Sequence, residues 1–262
     1  MSEIVRITDP SDERLADFRD LTDADVRPDR RGIVIAEGQN VVERMARSAC
    51  RIRAIIGVPA KLAELAAVLD RLSCPVYELD KWTLSDVVGF RVTRGVLGAA
   101  DRPPAVEPSE LLARGGRFVV CEAINDFENL GSIFRNCAAF GVDGVLLDPR
   151  CADPLYRRSV RVSMGNVFAV GFAALPQPWP DSLQLLVERG IELLALTPRA
   201  EAVPLNQLSR PERWAVLLGA EGPGLTEAAL AKADRWVRIP MAAGVDSLNV
   251  ATAGAVALSR LC

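Results

Sequence analysis

Short apolar runs alternate with amphipathic stretches along most of this chain. In the first hundred residues, Gly32–Ala36, Arg53–Gly57, Pro75–Leu79 and Gly95–Ala99 are compact apolar runs of strand length. Between them, Gln39–Ser48 and Ala60–Arg71 carry apolar residues at helical spacing, and an acidic stretch, Asp12–Leu21, predicts a further helix ahead of them. After residue 110 the alternation resumes. Arg117–Cys121, Gly144–Leu147, Ile191–Leu196, Trp214–Leu218 and Trp236–Ile239 read as buried strands. Leu130–Phe140, Asp181–Arg189 (closed by Gly190), Thr226–Ala233 (opened by its own threonine) and Ser247–Leu261 read as helices. Strands without polar alternation, separated by helices, predict an α/β fold with a parallel sheet covered by helices. Asp101–Ser109 holds three prolines and reads as a break. The expected division is an N-terminal extension and small α/β domain over residues 1–104, a linker over 105–115, and a second domain over 116–262.

Composition narrows the chemistry. The chain has 262 residues, half of them hydrophobic and a quarter charged, which is ordinary globular composition. It has no histidine, and its six cysteines form no CxxC pair. Zinc sites and histidine-based nucleophilic catalysis are therefore not expected, and no metal is. No apolar run approaches the roughly 18 residues of a membrane helix, and the acid-rich start lacks the apolar core of a signal peptide. A cytoplasmic protein with reduced thiols and no membrane partner is expected. The net charge of −3 does not announce a nucleic-acid binder. Only Lys61, Lys81 and Lys232 are lysines among 31 basic residues. That bias has two readings, a GC-rich genome or arginine forks matched to phosphate.

Parallel sheets collect ligands at the carboxyl ends of their strands. The loop after Arg117–Cys121 carries a single glycine as far as Gly131, so the Rossmann fingerprint is missing, and there is no P-loop. Three other loops carry candidate chemistry. In Asn125–Asn136, Asn129 reads as a helix cap. Arg135 then falls off the apolar stripe within two turns of a helix end that favours anions; alternatively it is an exposed arginine paired with a nearby acid. Gly219–Gly224 has three glycines in six residues around Glu221, a structural turn or a loop opened for a ligand. In Ile239–Asn249, Ser247 reads as the cap of the last helix and Asn249 lies in its first turn, either helping to cap it or facing a ligand.

Asn129-Leu-Gly-Ser-Ile-Phe-Arg135, Leu217-Leu-Gly-Ala-Glu-Gly-Pro-Gly224, and Ile239-Pro-Met241 with Ser247-Leu-Asn-Val250 stand in a fixed order. Together they resemble the three motifs of the SpoU (TrmH-type) RNA ribose methyltransferases of the SPOUT superfamily. Asp153–Gly165 resembles the basic segment of that family, and residues 32–102 its L30e-like substrate-binding domain. Three features depart from the family pattern. Phe127 stands where many members have proline, Ala251 where many have a hydroxyl, and Gly89–Gly95 lacks the histidines often found there. The resemblance implies a deep trefoil knot in the carboxy-terminal domain. It implies S-adenosyl-L-methionine held by backbone groups of Gly219, Ile239 and Leu248, with Thr197 a fourth. It also implies a homodimer in which the motif-one arginine of one subunit approaches the methyl donor of the other.

The implied reaction is methyl transfer to a ribose 2′-hydroxyl of ribosomal or transfer RNA. It needs alignment and a route for one proton. The resemblance assigns the base to Arg135. A guanidinium stays protonated below about pH 12, so the residue type favours a hold on the neighbouring phosphate and on developing alkoxide charge; deprotonation in the transition state stays open. Glu221 is the alternative base, or it orients Arg135 or Asn129. Asn129, Ser247 and Asn249 complete a polar shell. Arg91 and Arg94, and Arg157, Arg158 and Arg161 in the basic segment, are the expected RNA contacts. Two alternatives are an RNA-binding SPOUT-fold protein without methyl transfer and an RNA methyltransferase directed at a base.

Overall fold

A computed structural model describes residues 4–22 and 32–262. In chain order its elements are β1 (Ile4–Arg6), β2 (Ile33–Glu37), α1 (Gln39–Ala46), β3 (Ile52–Gly57), α2 (Pro59–Glu64), α3 (Ala66–Leu69), β4 (Val76–Glu78), α4 (Lys81–Val88), β5 (Val96–Asp101), α5 (Pro108–Leu112), β6 (Arg117–Glu122), α6 (Phe127–Phe140) and β7 (Gly144–Leu147). They continue with α7 (Arg157–Val162), β8 (Phe172–Ala174), α8 (Gln184–Val187), β9 (Glu192–Leu196), β10 (Val203–Pro204), β11 (Trp214–Gly219), α9 (Glu227–Lys232), β12 (Arg235–Arg238) and α10 (Val250–Leu261). The chain forms two compact units. One comprises residues 1–104 with 154–169, the other residues 105–153 with 170–262. The backbone therefore passes from one unit to the other three times.

The first unit holds a five-stranded sheet in the order β1-β4-β3-β5-β2. Strands β1, β4 and β3 run parallel, and β5 runs antiparallel to both β3 and β2. This sheet is mixed, because βα alternation sets the period of the elements but not the direction of each return. The expected acidic helix is a short 3-10 helix, Glu13–Phe18, capped by the Asp12 side chain. It contributes Leu15 and Phe18, both fully buried, to the core. The expected helix Ala60–Arg71 divides at Leu65 into α2 and α3.

The segment 154–169 was expected in the second domain, with Arg157 facing RNA. It lies instead in the first unit, where Leu155, Tyr156, Val160 and Val167 are buried and Arg157 is held in an ion pair. Arg157 Nη1 donates to Glu37 Oε2 at 2.8 Å, with the two side chains 13% and 4% exposed. The same guanidinium lies 4.5 Å from the centre of the Phe90 ring. A strand-end glutamate at this depth requires a cation, and Arg157 fills that role. Arg158 is exposed and Arg161 half-buried.

The second unit holds a seven-stranded sheet, β10-β12-β9-β11-β6-β7-β8, parallel throughout. Phe118, Val120, Leu193, Ala195, Ala215 and Leu217 share a core with Leu111, Leu183, Leu186 and Leu230. Helices α5, α8 and α9 thus cover one face. On the other, α6 packs along α10 and Asn136 Nδ2 donates to the Ala251 carbonyl at 2.8 Å. The expected linker 105–115 is corrected here. Pro108 occupies the first turn of α5, where its missing N–H costs nothing, and Leu111 and Leu112 are buried.

Removing one member of a buried ion pair strands the other. Glu37→Ala should therefore destabilise the first unit by about 3 kcal/mol, read from the midpoint of its urea transition. A loss below about 1 kcal/mol would place the pair among surface contacts.

Candidate functional site

The three candidate loops all leave carboxyl ends of the parallel sheet. Strand β11 runs into Gly219–Gly224. Gly224 N donates to the Ala220 carbonyl at 2.9 Å and closes the turn, with Gly222 and Gly224 at φ +85° and +71°. A Cβ on Gly219 would lie 2.2 Å from the Gly224 carbonyl carbon, so backbone already occupies the space of any larger residue. Beyond β12, the chain from Ile239 to Asn249 forms an extended loop ahead of α10.

The glycine turn, the Ile239–Asn249 loop and the end of β9 line a cavity of about 450 Å³. Thr197, Gly219, Ile239 and Leu248, the four residues expected to hold a cofactor, all line it, as do Glu221, Ser247 and Asn249. Leu196, Pro198, Leu218, Ala220, Met241 and Ala253 line it as well. They come from strand ends, loops and α10, and no role was assigned to any of them individually, since apolar residues carry no chemical signal of their own. Thr197 is buried, and its N–H donates to the Val237 carbonyl at 2.9 Å.

Asn249 is the joint of the site. Its Oδ1 accepts from the backbone N–H groups of Ala251 at 3.0 Å and Thr252 at 3.1 Å, so Asn249 caps α10. Its Nδ2 donates to Asn129 Oδ1 and to Glu221 Oε1, each at 2.7 Å. The cap was expected at Ser247. The longer reach of an asparagine amide lets one side chain cap the helix and bridge two loops.

The start of α6 also moves. Asp126, not Asn129, is the cap, its Oδ1 accepting from Glu128 N at 2.9 Å and Asn129 N at 2.8 Å. Asn129 is thus in the first turn, 9% exposed, and free to meet Asn249. Arg135 becomes the ninth of fourteen helical residues rather than one near the anion-favouring end. It lies roughly 9 Å along the axis from Asn129 and about 240° around it. Arg135 is exposed, does not line the cavity, and makes no ion pair or side-chain hydrogen bond with any described residue. Asn129, Glu221 and Asn249 converge within one subunit, and Arg135 does not join them.

Cys151 Sγ donates to the Cys121 carbonyl at 3.2 Å. Burial raises the thiol of Cys121 well above its ordinary range and pushes that of Cys151 up to about 12. Both are therefore protonated at neutral pH. Among the described residues, no group of three or more His, Cys, Asp or Glu is placed to hold a metal ion, and no helix is long and apolar enough to cross a membrane. Arg91 and Arg94 are exposed.

Residues 116–259 match the model of the SpoU rRNA Methylase family. An uncharacterized tRNA/rRNA methyltransferase of Mycobacterium tuberculosis is 47% identical over 261 residues, spanning 97% of this chain and 90% of the relative. The 23S rRNA (guanosine(2553)-2′-O)-methyltransferase RlmP of Bacillus subtilis is 29% identical over 154 residues, 59% of this chain and 61% of its own length. The fold resembles an AdoMet-bound rRNA methyltransferase from Sinorhizobium meliloti (TM-score 0.81, 24% identity, 98% and 97% of the two chains). It also resembles AviRb of Streptomyces viridochromogenes in complex with AdoMet (TM-score 0.79, 20% identity, 95% and 97%).

Asn249→Asp keeps the cap, because aspartate caps as well as asparagine. It removes both donors and sets a second carboxylate against Glu221. It should cost about 2 kcal/mol in urea unfolding, and adding Glu221→Gln should recover part of the loss.

Proposed function

Because this chain belongs to the SpoU rRNA methylase family, we propose that it transfers a methyl group from S-adenosyl-L-methionine to a ribose 2′-hydroxyl of ribosomal or transfer RNA. The observation that carries this reading is the cavity closed by the Asn249 bridge. It has the size of a small-molecule pocket, apolar walls from Leu196, Leu218, Ile239 and Leu248, and exposed backbone where Gly219 abuts Gly224. That lining fits an adenosine and a methionine chain held by main-chain groups, with Thr197, Gly219, Ile239 and Leu248 as the holding residues. When bound, S-adenosyl-L-methionine supplies an electrophilic methyl group on a sulfonium.

The chain's own residues supply position and charge. Asn249, on the cavity wall, fixes Glu221 beside it and holds Asn129, and Ser247 adds a hydroxyl to the same wall. A 2′-hydroxyl there meets hydrogen-bond partners as its proton leaves, with Glu221 the carboxylate nearest to receive it. Arg135 holds the adjacent phosphate and neutralises alkoxide charge. No cysteine lines the cavity, so no thiol is placed there to activate a base carbon. The 2′-O specificity in the printed name of the Bacillus subtilis relative points the same way.

Arg135 stands apart from the other polar groups, which supports a homodimer in which it serves the partner's cavity. The match of residues 116–259 to the family model supports reading residues 116–262 as a deep trefoil knot. Residues 32–102 read as an L30e-like domain that presents Arg91 and Arg94 to RNA.

Arg135→Ala should lower methyl transfer by about 100- to 1,000-fold while calorimetry shows S-adenosyl-L-methionine binding nearly unchanged. Co-expressing it with Asn249→Ala should restore about a quarter of wild-type activity through mixed dimers that hold one intact site. No recovery would remove Arg135 from the partner's site.

The product should be a 2′-O-methylated nucleotide, resistant to alkaline cleavage at that linkage. A target with a single 2′-deoxy residue should bind and accept no methyl group. Recovery of the methyl on a base by mass spectrometry would overturn the assignment.

A further inference from the structure

Glu122 is the last residue of β6 and is 1% exposed, yet the reaction described above does not use it. Its carboxylate accepts four hydrogen bonds. Oε1 receives Trp179 Nε1 at 2.6 Å, Thr226 Oγ1 at 2.8 Å and Arg150 Nη2 at 3.0 Å, and Oε2 receives the Thr226 N–H at 2.9 Å. Arg150 is held in turn by buried Asp148, with Nη2 2.7 Å from Oδ2. A buried carboxylate needs such compensation, but the choice of partners is specific. In the β6–β11 ladder Glu122 stands directly opposite Gly219, the first residue of the glycine turn. Thr226 lies two residues beyond Gly224, the last residue of that turn. Glu122 therefore grips the cavity's glycine turn at both ends, by the strand ladder at its start and by its side chain at its finish. Ala123, next in the chain, has φ +53°, a conformation that costs energy in a non-glycine residue. The strand end is thereby turned toward α6, which carries Asn129.

We propose that Glu122 is a positioning residue for the methyl-transfer site, setting the span of the Gly219–Gly224 turn and hence the location of Glu221 and of the backbone lining the cavity. The proposal rests on the methyltransferase reading for its consequence in turnover, but not for the brace itself. Between Gly219 and Gly224, Glu221 is the residue whose side chain hydrogen-bonds beyond the turn, to Asn249. The rest of the turn takes its position from its two ends.

Glutamine is the informative replacement. Either orientation of its amide puts an NH₂ against a donor, the Thr226 N–H or the cluster on Oε1. The set to compare is wild type, Glu122→Gln, Thr226→Val, Thr226→Ser, and Glu122→Gln with Thr226→Val. Amide hydrogen exchange without ligand should speed up about tenfold across 219–226 in Glu122→Gln and in Thr226→Val, with β11 and α6 unchanged. S-adenosyl-L-methionine should bind about tenfold more weakly to both. The double variant should be no more than about twofold worse than either single one, the mark of a shared interaction. Thr226→Ser, which keeps the hydroxyl, should return to within about twofold of wild type. Unchanged exchange over 219–226, or multiplying effects in the double variant, would overturn the brace. Should Glu122→Gln exchange fast throughout, the Thr226→Val and Thr226→Ser pair decides by the same reading. Failure of the wild type to bind S-adenosyl-L-methionine would sink the methyltransferase reading, while the exchange data would still judge Glu122.

Discussion

One amide holds the site together. Asparagine offers two N–H donors and a carbonyl oxygen with two acceptor positions, and Asn249 uses all four, on Asn129, Glu221 and the second and third N–H groups of α10. Those partners belong to the first turn of α6, the glycine turn and the first turn of α10. No other standard side chain of that length donates twice in one direction while accepting twice in the other. Aspartate lacks the donors, serine lacks the reach, and glutamine places the amide one carbon too far to cap its own helix.

Around that joint the second unit divides its tasks between the two faces of one sheet. The face under α5, α8 and α9 is apolar up to its end, where Glu122 takes over from Phe118 and Val120 along the same strand. The opposite face carries α6 and α10, whose contact delivers Asn129 and Asn249 to the same place. Gly254 lets α10 lie close to β11, since a Cβ there would meet Leu218 at 3.1 Å, and the Ala251 carbonyl of the same helix accepts from Asn136 of α6. The chemistry thus sits where a rigid β-ladder ends and backbone polar groups lose their ladder partners.

Much of this was legible in the sequence, for identifiable reasons. Fully buried parallel strands are continuous apolar runs, so β6, β7, β9 and β11 stood out, each to within a residue or two. The glycine turn was legible because only close backbone approach demands so many glycines in so few positions. All seven residues placed on the second and third loops or at the end of β9 line one cavity. Other features depended on partners that periodicity does not reveal. Strands β1, β8 and β10 are two or three residues long, too short to show a period. Two side chains compete for each cap, Asp126 with Asn129 at α6 and Ser247 with Asn249 at α10, and the winners, Asp126 and Asn249, were settled by geometry. Arg157 looked like a solvent-facing cation because its partner, Glu37, lies 120 residues earlier. Glu122 left one trace, an acid closing an apolar strand, which in a doubly covered sheet means a charge that has been provided for.

The three passages of the backbone between units bear on how such a protein can be taken apart or reassembled. In a chain that crosses once, the leading unit is a cassette, which recombination can exchange with a single junction. Here residues 154–169 are supplied to the first unit from within the sequence of the second. An exchange at residue 104 would leave that stretch facing a foreign surface without Glu37. The two units should therefore be inherited together, with substitutions in β2 and α7 changing in step. A graft of the N-terminal unit onto another scaffold would have to carry a second, internal piece of sequence.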